Sequence, residues 1–532
     1  IRYHSRAMRA PRWLFAIWLC FLARAFFYCA ALPLWEGYDE WSHFAVVQRM
    51  AFRGEPLVSR DSPIPRDVAA SLQLAPVAWE CRYLPPPSAT YDEFWRLPPA
   101  ERARRESEFR AIPSVWARQD STGALKAYEG LQAPLAAWIM TPVLLAARHA
   151  HLSTQVLLLR WFNMAILSLV IPLTFLTARS VFRHDAPAGA CAAIVAAMPG
   201  LLIGIARVSN ESLAVVLFTL LLWLAVQEIN RPRALALGVV LGLGLLAKAY
   251  FLTAVPPVAL LLLWKCRRPR ALLVPLVTLA IAAWWYVHNL LTTGTLSGMW
   301  ESAVQPTATL GGQLHHATRV PWLATVDSIL FSHLWLGAWS TLTVRSWMYH
   351  LFYLLIAMAL LGLALRPSAN PNKIPIRILA AFYLTFWLGQ LYHAALLFMV
   401  WGIATSLGCY LYAVGAAEVT LCVAGLRALL PRPARRFVAP AGVALFALFD
   451  FYTLHMVALP YYTGFVAHRP GGPVAAFYPA TASFAEFLAR LAAFKSPLLT
   501  QPVLAALWVF YAAATLGLVA IAFAAARRES SR

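Results

Sequence analysis

Charge is scarce in this sequence, and acid scarcest of all. Of 532 residues only 13% are charged and just 23 are Asp or Glu, whereas 61% are hydrophobic. An ordinary soluble protein carries about a quarter charged residues, so the multidomain soluble chain that the length alone would allow is excluded, as are disordered and collagenous classes. The seven cysteines, at 20, 29, 81, 191, 266, 409 and 422, contain no C-x-x-C pair and have no histidine nearby at metal-ligand spacing. Neither a zinc site nor a disulfide framework is indicated. What fills the chain instead is a series of apolar runs of about twenty residues, each long enough to cross a hydrocarbon core of about 30 Å as a helix.

The few acids are unevenly placed. Fourteen of the 23 fall between Glu36 and Glu129, inside one polar segment. The net charge of +21 would suggest nucleic acid in a soluble protein. Here Lys and Arg stand in short clusters between apolar runs, which is the positive-inside pattern of a membrane protein, and no nucleic-acid partner is expected. Most of these cations are read as setting topology and meeting anionic membrane lipid.

The first run, Trp13 to Pro33, follows Arg2, Arg6, Arg9 and Arg12 and is read as an uncleaved helix entering from the cytoplasm. Residues 34–155 then form a large extracytoplasmic segment. Whether Leu131 to Ala147 crosses is decided by charge: if it lies on the outer face, the clusters at Arg179/Arg183, Arg231/Arg233, Lys265–Arg270, Arg366–Arg377, Arg432–Arg436 and Arg527/Arg528 all fall inside. That leaves about twelve spans, near 13–33, 156–178, 187–206, 212–229, 234–250, 251–264, 271–291, 347–365, 377–399, 409–430, 437–458 and 502–526, with both termini cytoplasmic. The expected fold is an all-α polytopic membrane protein whose large first outer loop contains juxtamembrane helices. The outer loops 292–346 and 459–501 join the 34–155 segment on that face. Gly238, Gly242 and Gly244 allow close helix packing in the 234–250 span, whose short length places Lys248 near its outer end.

Three polar constellations stand at the expected outer membrane edge. Trp35-Glu36-Gly37-Tyr38-Asp39-Glu40-Trp41-Ser42-His43 puts a carboxylate pair where the first span leaves the bilayer. Trp41, Phe44, Val47 and Met50 recur at helical spacing after it, with Gln48 and Arg49 polar, the pattern of an amphipathic interfacial helix. The plain alternative is that Asp39 and Glu40 are only helix N-terminal acids. Tyr128-Glu129-Gly130-Leu131-Gln132 leads into the apolar stretch that follows. Arg207-Val208-Ser209-Asn210-Glu211-Ser212 opens the fourth span, where Arg207 and Glu211 can also simply pair with each other. Lys248, in an apolar hairpin, costs about 2.5–3.5 kcal/mol at a bilayer centre unless it snorkels outward. With Arg207 and His288 it supplies cations for an anionic group such as a lipid phosphate.

The run P-L-W-E-G-Y-D-E-W-S-H-F, with V-V-Q-R-M-A-F-R-G-E-P after it, resembles the Asp-Glu motif following the first span of GT-C membrane glycosyltransferases, the superfamily of the protein O-mannosyltransferases and the lipid A aminoarabinose transferase. Y-E-G-L-Q-A-P-L resembles that superfamily's E-x-H-x-P-P-L, M-P-G-L-L-I-G-I-A-R-V-S-N-E-S-L-A its acidic outer turn, and L-G-L-G-L-L-A-K its later G-L-x-x-L-x-K. The bacterial group called domain of unknown function 2142 is the most similar. The resemblance covers residues 10 to 300, which suggests a GT-C-like catalytic module over 1–300 and a variable C-terminal transmembrane module over 301–532.

The resemblance implies an inverting transfer of a sugar from a polyprenyl-phosphate carrier to an acceptor hydroxyl of a glycan, lipid or protein, on the extracytoplasmic face of a bacterial cytoplasmic (inner) membrane. It implies Asp39 as general base with Glu40 positioning it, and His43, Glu129, Gln132, Arg207, Asn210, Glu211, Lys248 and His288 as substrate-binding residues. Three departures stand out: His288 where many relatives carry arginine, Asn210-Glu211 for Asn-Asp, and Cys409 where arginine is common. Asp39, Glu40 and Glu211 offer few convergent acids, so no metal cofactor is expected. A transporter or flippase using Glu418 and Asp450, with His393 and His455, is the alternative reading. A noncatalytic assembly or polymerase partner is a third. Trp79, Tyr83, Tyr91, Trp95 and Trp116 have two uses open to them, stacking on sugar faces or forming an aromatic belt. Pro99 to Arg110, with interleaved acids and bases, reads as a solvated helix.

Overall fold

The computed structural model describes residues 11–85, 87–265, 268–299, 301, 317–366, 372–469, 473–481 and 483–530. Arg2, Arg6, Arg9, Cys266, parts of the Lys265–Arg270 and Arg366–Arg377 clusters and the middle of the 292–346 loop lie outside them. Among the described residues the regular elements are all helical, and the extended pairings are four isolated bridges.

α1 (Arg12–Ala31) starts after Pro11 and stops before Pro33, because a proline ring cannot continue the hydrogen-bond ladder. The chain then turns sharply, with Trp35 and Asp39 both left-handed at φ 62° and 56°. α2 (Glu40–Arg53) begins at that turn and ends at Gly54, whose φ of 68° suits a residue without Cβ. As the spacing predicts, Trp41, Phe44, Val47 and Met50 are buried. The polar face is buried as well, however. Gln48 donates to Asp67 at 2.7 Å, and Arg49 pairs with Glu55 at 2.8 Å and Asp120 at 2.6 Å. α2 is therefore roofed by the outer segment instead of lying open at an interface.

That roof contains α3 (Arg66–Leu74), α4 (Tyr91–Arg96), α5 (Pro99–Arg110) and α6 (Leu135–Ala146). It has its own apolar core around Trp35, Trp41, Phe44, Val68, Phe94 and Phe109. α5 is the solvated helix expected, burying only Phe109 and tying Arg104 to Glu101 and Glu108. α6 has twelve residues, about 18 Å of helix, too short to cross a 30 Å core. It packs against α2, and Trp138 donates to the Pro56 carbonyl at 2.8 Å.

α7 (Leu152–Leu167) and α8 (Val170–Phe182) form one long apolar stretch, while α9 (Asp185–Ala197) and α10 (Pro199–Ile205) are bent by 49° at Met198. α11 (Glu211–Val226), α12 (Arg231–Ala247), α13 (Val255–Lys265) and α14 (Arg268–Thr293) follow. Beyond them lie helices Trp322–Leu334, Ser346–Leu365, Lys373–Trp401, Gly415–Leu429, Val438–Tyr452, Phe484–Ala492 and Gln501–Ser530. Every segment expected to cross is helical. Among the described residues eight helices are long and apolar enough to span a membrane, and the bent α9–α10 pair makes a ninth. α11, α12 and α13 are shorter, at 16, 17 and 11 residues. α11 is buried almost all round, so neighbouring helices, not lipid, meet its surface. Outward-facing Leu360, Leu384, Leu388 and Leu516 are largely exposed, apolar surface that hydrocarbon covers and water would not. The chain is a multi-pass membrane protein.

Close packing and buried charge both shape this bundle. A Cβ on Gly238 or Gly242 would come within 2.9 Å of Val274 or Ile281, so α12 lies directly on α14, as its small residues suggest. Residues from both sides of position 300 build the same apolar core. Arg24 of α1 is fully buried and ion-paired at 2.7 Å with Asp450. It also donates to the carbonyls of Ala196 and Ala197, at the break that Pro199 makes by lacking an N–H. Tyr28 and Tyr511 donate to the same carboxylate at 2.5 and 2.7 Å.

Candidate active site

The end of α1 leaves carbonyls without helical partners. Arg160 of α7 meets three of them, those of Cys29, Leu32 and Pro33, at 3.2, 2.9 and 2.7 Å. Lys495 meets Ala31 at 2.8 Å, and Leu32 as well. The same guanidinium grips Glu40 through Nε and Nη2 at 2.7 and 2.5 Å, and the Val208 N–H donates to Glu40 at 2.9 Å. Glu40 is thus a buried tie between α1, α2, α7 and the α10–α11 turn, and it is not among the residues lining the large cavity.

Four residues before Glu40, Glu36 is held from another direction. Tyr91 and the Ser340 hydroxyl donate to one oxygen at 2.8 and 2.9 Å; the Ser340 N–H and Tyr462 donate to the other at 3.0 and 3.3 Å. Burial pushes the Glu36 carboxyl up to about 8, although all four donors favour its ionised form. Between these anchors, Gly37 packs on Arg207 so closely that a Cβ would lie 2.5 Å from the arginine Cβ. The left-handed Asp39 is fixed on both flanks.

Asp39 faces a cavity of about 1160 Å³, together with Tyr128, Glu129, Gln132, Lys248 and Tyr410. Its carboxylate accepts from the Tyr128 hydroxyl at 2.5 Å. Burial raises its pKa, opposed by the Tyr128 hydrogen bond and by the charges of Arg207 and Lys248. Glu129 is raised further, well above the carboxylate range, by burial and by the negative charge of Asp39. His43, 3.3 Å from Glu129, is pushed well below its ordinary value by burial. Of these two neighbouring carboxyls, Asp39 is the more readily ionised. Glu129 Oε2 lies 3.3 Å from His43 Nε2 yet is buried without a hydrogen-bond partner.

Opposite Asp39, Lys248 caps the end of α12, its N–H bonded to the Gly244 carbonyl at 2.9 Å. Its ammonium pairs with Glu211 and donates to Asn210 Oδ1 at 3.2 Å. The Tyr410 ring lies 4.7 Å away. An ammonium has three donors, and these two contacts leave one. Asn210 also donates to Gln132 at 3.5 Å. Arg207 is 3% exposed, lies 4.9 Å from the Tyr38 ring and beside Cys409, and has no hydrogen-bond partner for Nε or Nη1. Its charge favours the ionised form of Asp39, and its Cβ lies against Gly37, two residues before that acid. The pairing of Arg207 with Glu211 that the sequence left open does not form; Glu211 takes Lys248 instead.

His288 stands apart from this group. It packs on Trp285 with ring centroids 5.4 Å apart and is absent from the cavity wall. The cavity does include His393, hydrogen-bonded to Ser406 at 2.8 Å. Glu418 instead pairs with His333 at 2.8 Å, and Asp450 belongs to the Arg24 cluster; neither lines the cavity. Sequence reasoning missed Arg160 and Tyr128 as functional partners. Arg160 carried a usable signal, since a lone arginine in an apolar span has to find a carboxylate or carbonyls. Tyr128 carried none beyond its place beside Glu129.

Fold and site together define a multi-pass membrane protein, helical throughout its described elements, in which the 34–155 segment roofs a cavity whose wall includes Asp39, Glu129, Glu301 and Lys248, with Arg207 buried against Gly37. No family model and no curated protein matches the chain. Among solved structures it is similar to a crystal structure of ArnT from Cupriavidus metallidurans bound to undecaprenyl phosphate, with 12% identity, a TM-score of 0.46, and coverage of 97% of this chain and 78% of that one. It is also similar to an Archaeoglobus fulgidus oligosaccharyltransferase tethered with an acceptor peptide, at 12% identity and a TM-score of 0.43, covering 91% of this chain and 56% of the other. The archaeal oligosaccharyltransferase AglB from the same organism, in complex with an inhibitory peptide and a dolichol-phosphate, gives 12% identity, a TM-score of 0.36, and coverage of 92% and 60%.

Proposed function

We propose that the chain is an inverting glycosyltransferase that moves a sugar from a polyprenyl-phosphate carrier to an acceptor hydroxyl at the extracytoplasmic face of a bacterial cytoplasmic membrane, with both termini in the cytoplasm and no metal required. The observation that carries this reading is Asp39: a half-buried, ionisable carboxylate on a left-handed turn just beyond a membrane helix, facing a large cavity with Lys248 in its wall. Asp39 takes the proton of the acceptor hydroxyl as its oxygen attacks the anomeric carbon. The bond from that carbon to the carrier phosphate breaks with its electron pair going to phosphate, and inversion follows from a single displacement. Lys248, with Arg207 behind it, stabilises the charge gathering on the leaving phosphate. Glu129, whose carboxyl is held in its neutral form more strongly than that of Asp39, repels that phosphate less than an ordinary carboxylate would. The positive-inside clusters support the orientation.

The test is transfer from a lipid-linked sugar in proteoliposomes, read by mass spectrometry of donor and acceptor. Lys248→Ala is expected to lower kcat/KM for the donor by about 10–100-fold, the loss of one or two charge-assisted hydrogen bonds. Because truncation strands the buried Glu211, the double variant Lys248→Ala/Glu211→Gln should fold like wild type and keep the same donor defect. Unchanged donor use in the double variant would remove Lys248 from phosphate binding.

The pH profile provides a second check. Asp39 acts only when ionised and its pKa is raised, so transfer is expected to fall on acidification at a pH above the ordinary Asp range of about 3.9. Tyr128→Phe deletes a hydrogen bond that favours the carboxylate, so the acid limb should move to still higher pH. A limb that stays put in the phenylalanine variant would assign it to another group.

A further inference from the structure

The outer segment holds a second cleft that shares no lining residue with the Asp39 cavity. Its volume is about 570 Å³, within the roughly 300–1,000 Å³ of small-ligand sites. It forms where the 119–125 stretch bridges back to the start of α3, with Pro65 paired to Asp120 and the Ser121 N–H donating to Ile64 at 2.9 Å. The floor is apolar, with Ala70, Leu72 and Val77 among its residues. Trp116 forms part of the wall, with the Arg66 guanidinium 3.9 Å from its ring.

Ser88 in the wall already donates to the Leu72 carbonyl at 2.7 Å, but other neutral hydrogen-bonding capacity around this floor is unused. Ser121 Oγ is buried without a partner. Gln73 and Thr122 are exposed and make no side-chain bond, and Gln119 engages only its carbonyl oxygen, which accepts from Arg66 at 3.1 Å. Of the two charges in the wall, the carboxylate is ion-paired and the guanidinium is held by a ring and an amide. Arg66 is committed to Trp116 and Gln119, and Asp120 is paired with Arg49 at 2.6 Å and Arg53 at 2.9 Å. A buried hydroxyl with no partner favours a ligand or water that supplies one. The C–H face of a pyranose is apolar and weakly positive, suited to the negative face of an indole, and its hydroxyls both donate and accept.

We propose that this cleft binds a neutral saccharide, the Trp116 wall meeting the ring face while Gln73, Gln119, Ser121 and Thr122 bond its hydroxyls. Its use as a docking site for an acceptor glycan rests on the glycosyltransferase reading; binding itself does not.

The experiment measures binding to the detergent-solubilised full chain by saturation-transfer NMR and calorimetry. Probes are neutral di- and trisaccharides of glucose, mannose, galactose and N-acetylglucosamine, with glucuronate-containing counterparts as charged controls. At least one neutral saccharide is expected to bind, and Trp116→Ala should weaken it about tenfold. Trp116 also packs on the outer core, so Gln73→Ala/Thr122→Ala, which removes only exposed side chains, provides the fold-neutral arm and should weaken binding about tenfold. Asp39→Asn should bind as wild type, which separates this site from the transfer centre. The proposal is overturned if no neutral probe binds, if charged probes bind better, or if the Gln73/Thr122 variant binds normally.

Discussion

Asp39→Asn is expected to lower transfer from a lipid-linked sugar by about 10²–10⁴-fold, the range that a positioned general base contributes, with no loss of folded protein in the membrane. The substitution is close to isosteric. Asparagine tolerates the left-handed φ of 56° that position 39 adopts, and its carbonyl oxygen still accepts from Tyr128. Glu36 and Glu40 keep their own anchors on either side, so the turn has no reason to move. What disappears is basicity: an amide cannot take the acceptor's proton. Two measurements decide the matter, transfer in proteoliposomes and the melting temperature of the purified variant. Full transfer by a normally melting Asp39→Asn protein sinks the proposed base. If Glu418 or Asp450 variants lose solute or proton flux while the Asp39 variant transfers and transports normally, the transporter reading takes its place.

Glu40→Ala is expected to behave in the opposite way, destabilising the protein by about 3–5 kcal/mol, the cost of leaving one member of a buried ion pair unmatched. Arg160 would retain its contacts to the α1 carbonyls but lose the carboxylate that balances its charge, in a place where its side chain is 4% exposed and that of Glu40 is fully buried. The expected readout is a large fall in monodisperse protein and in melting temperature, where Asp39→Asn shows neither. Replacing both partners with apolar residues, Glu40→Leu/Arg160→Met, should recover much of the loss, because removing a buried pair together is far less costly than splitting it. Should Glu40→Ala melt like wild type, the pair does not hold the junction between α1 and α2. Adjacent acids in one motif thus have separable roles, one facing the cavity and the other tying helices together.

Much of the architecture was legible in the sequence because it depends on local sums. Apolar runs and their spacing marked each helical segment, and the stretch that the charge argument set apart, Leu131–Ala147, holds the twelve-residue α6. Three of the expected spans form shorter helices, α11 to α13, because hydropathy marks apolar character and not where a helix starts and stops. The polar face of α2 misled for the complementary reason: Gln48 and Arg49 look solvated until Asp67, Glu55 and Asp120 arrive from elsewhere in the outer segment. At the site, Asp39, Glu129, Gln132 and Lys248 do share one cavity, and Asn210 and Glu211 hold the lysine. His288 does not join them, because the α14 register turns it onto Trp285.

By itself the sequence determined that this protein lives in a membrane, where its helices run, and that its acids gather beside the first of them, since transfer free energies and charge placement accumulate residue by residue. Tertiary structure alone decided that Asp39 opens to the cavity while Glu40 is locked to Arg160, 120 positions away. It also decided that Lys248 pairs with Glu211 instead of standing free. Those outcomes depend on which distant groups a folded chain brings within about 3 Å, the reach of a hydrogen bond, and no local pattern encodes that distance.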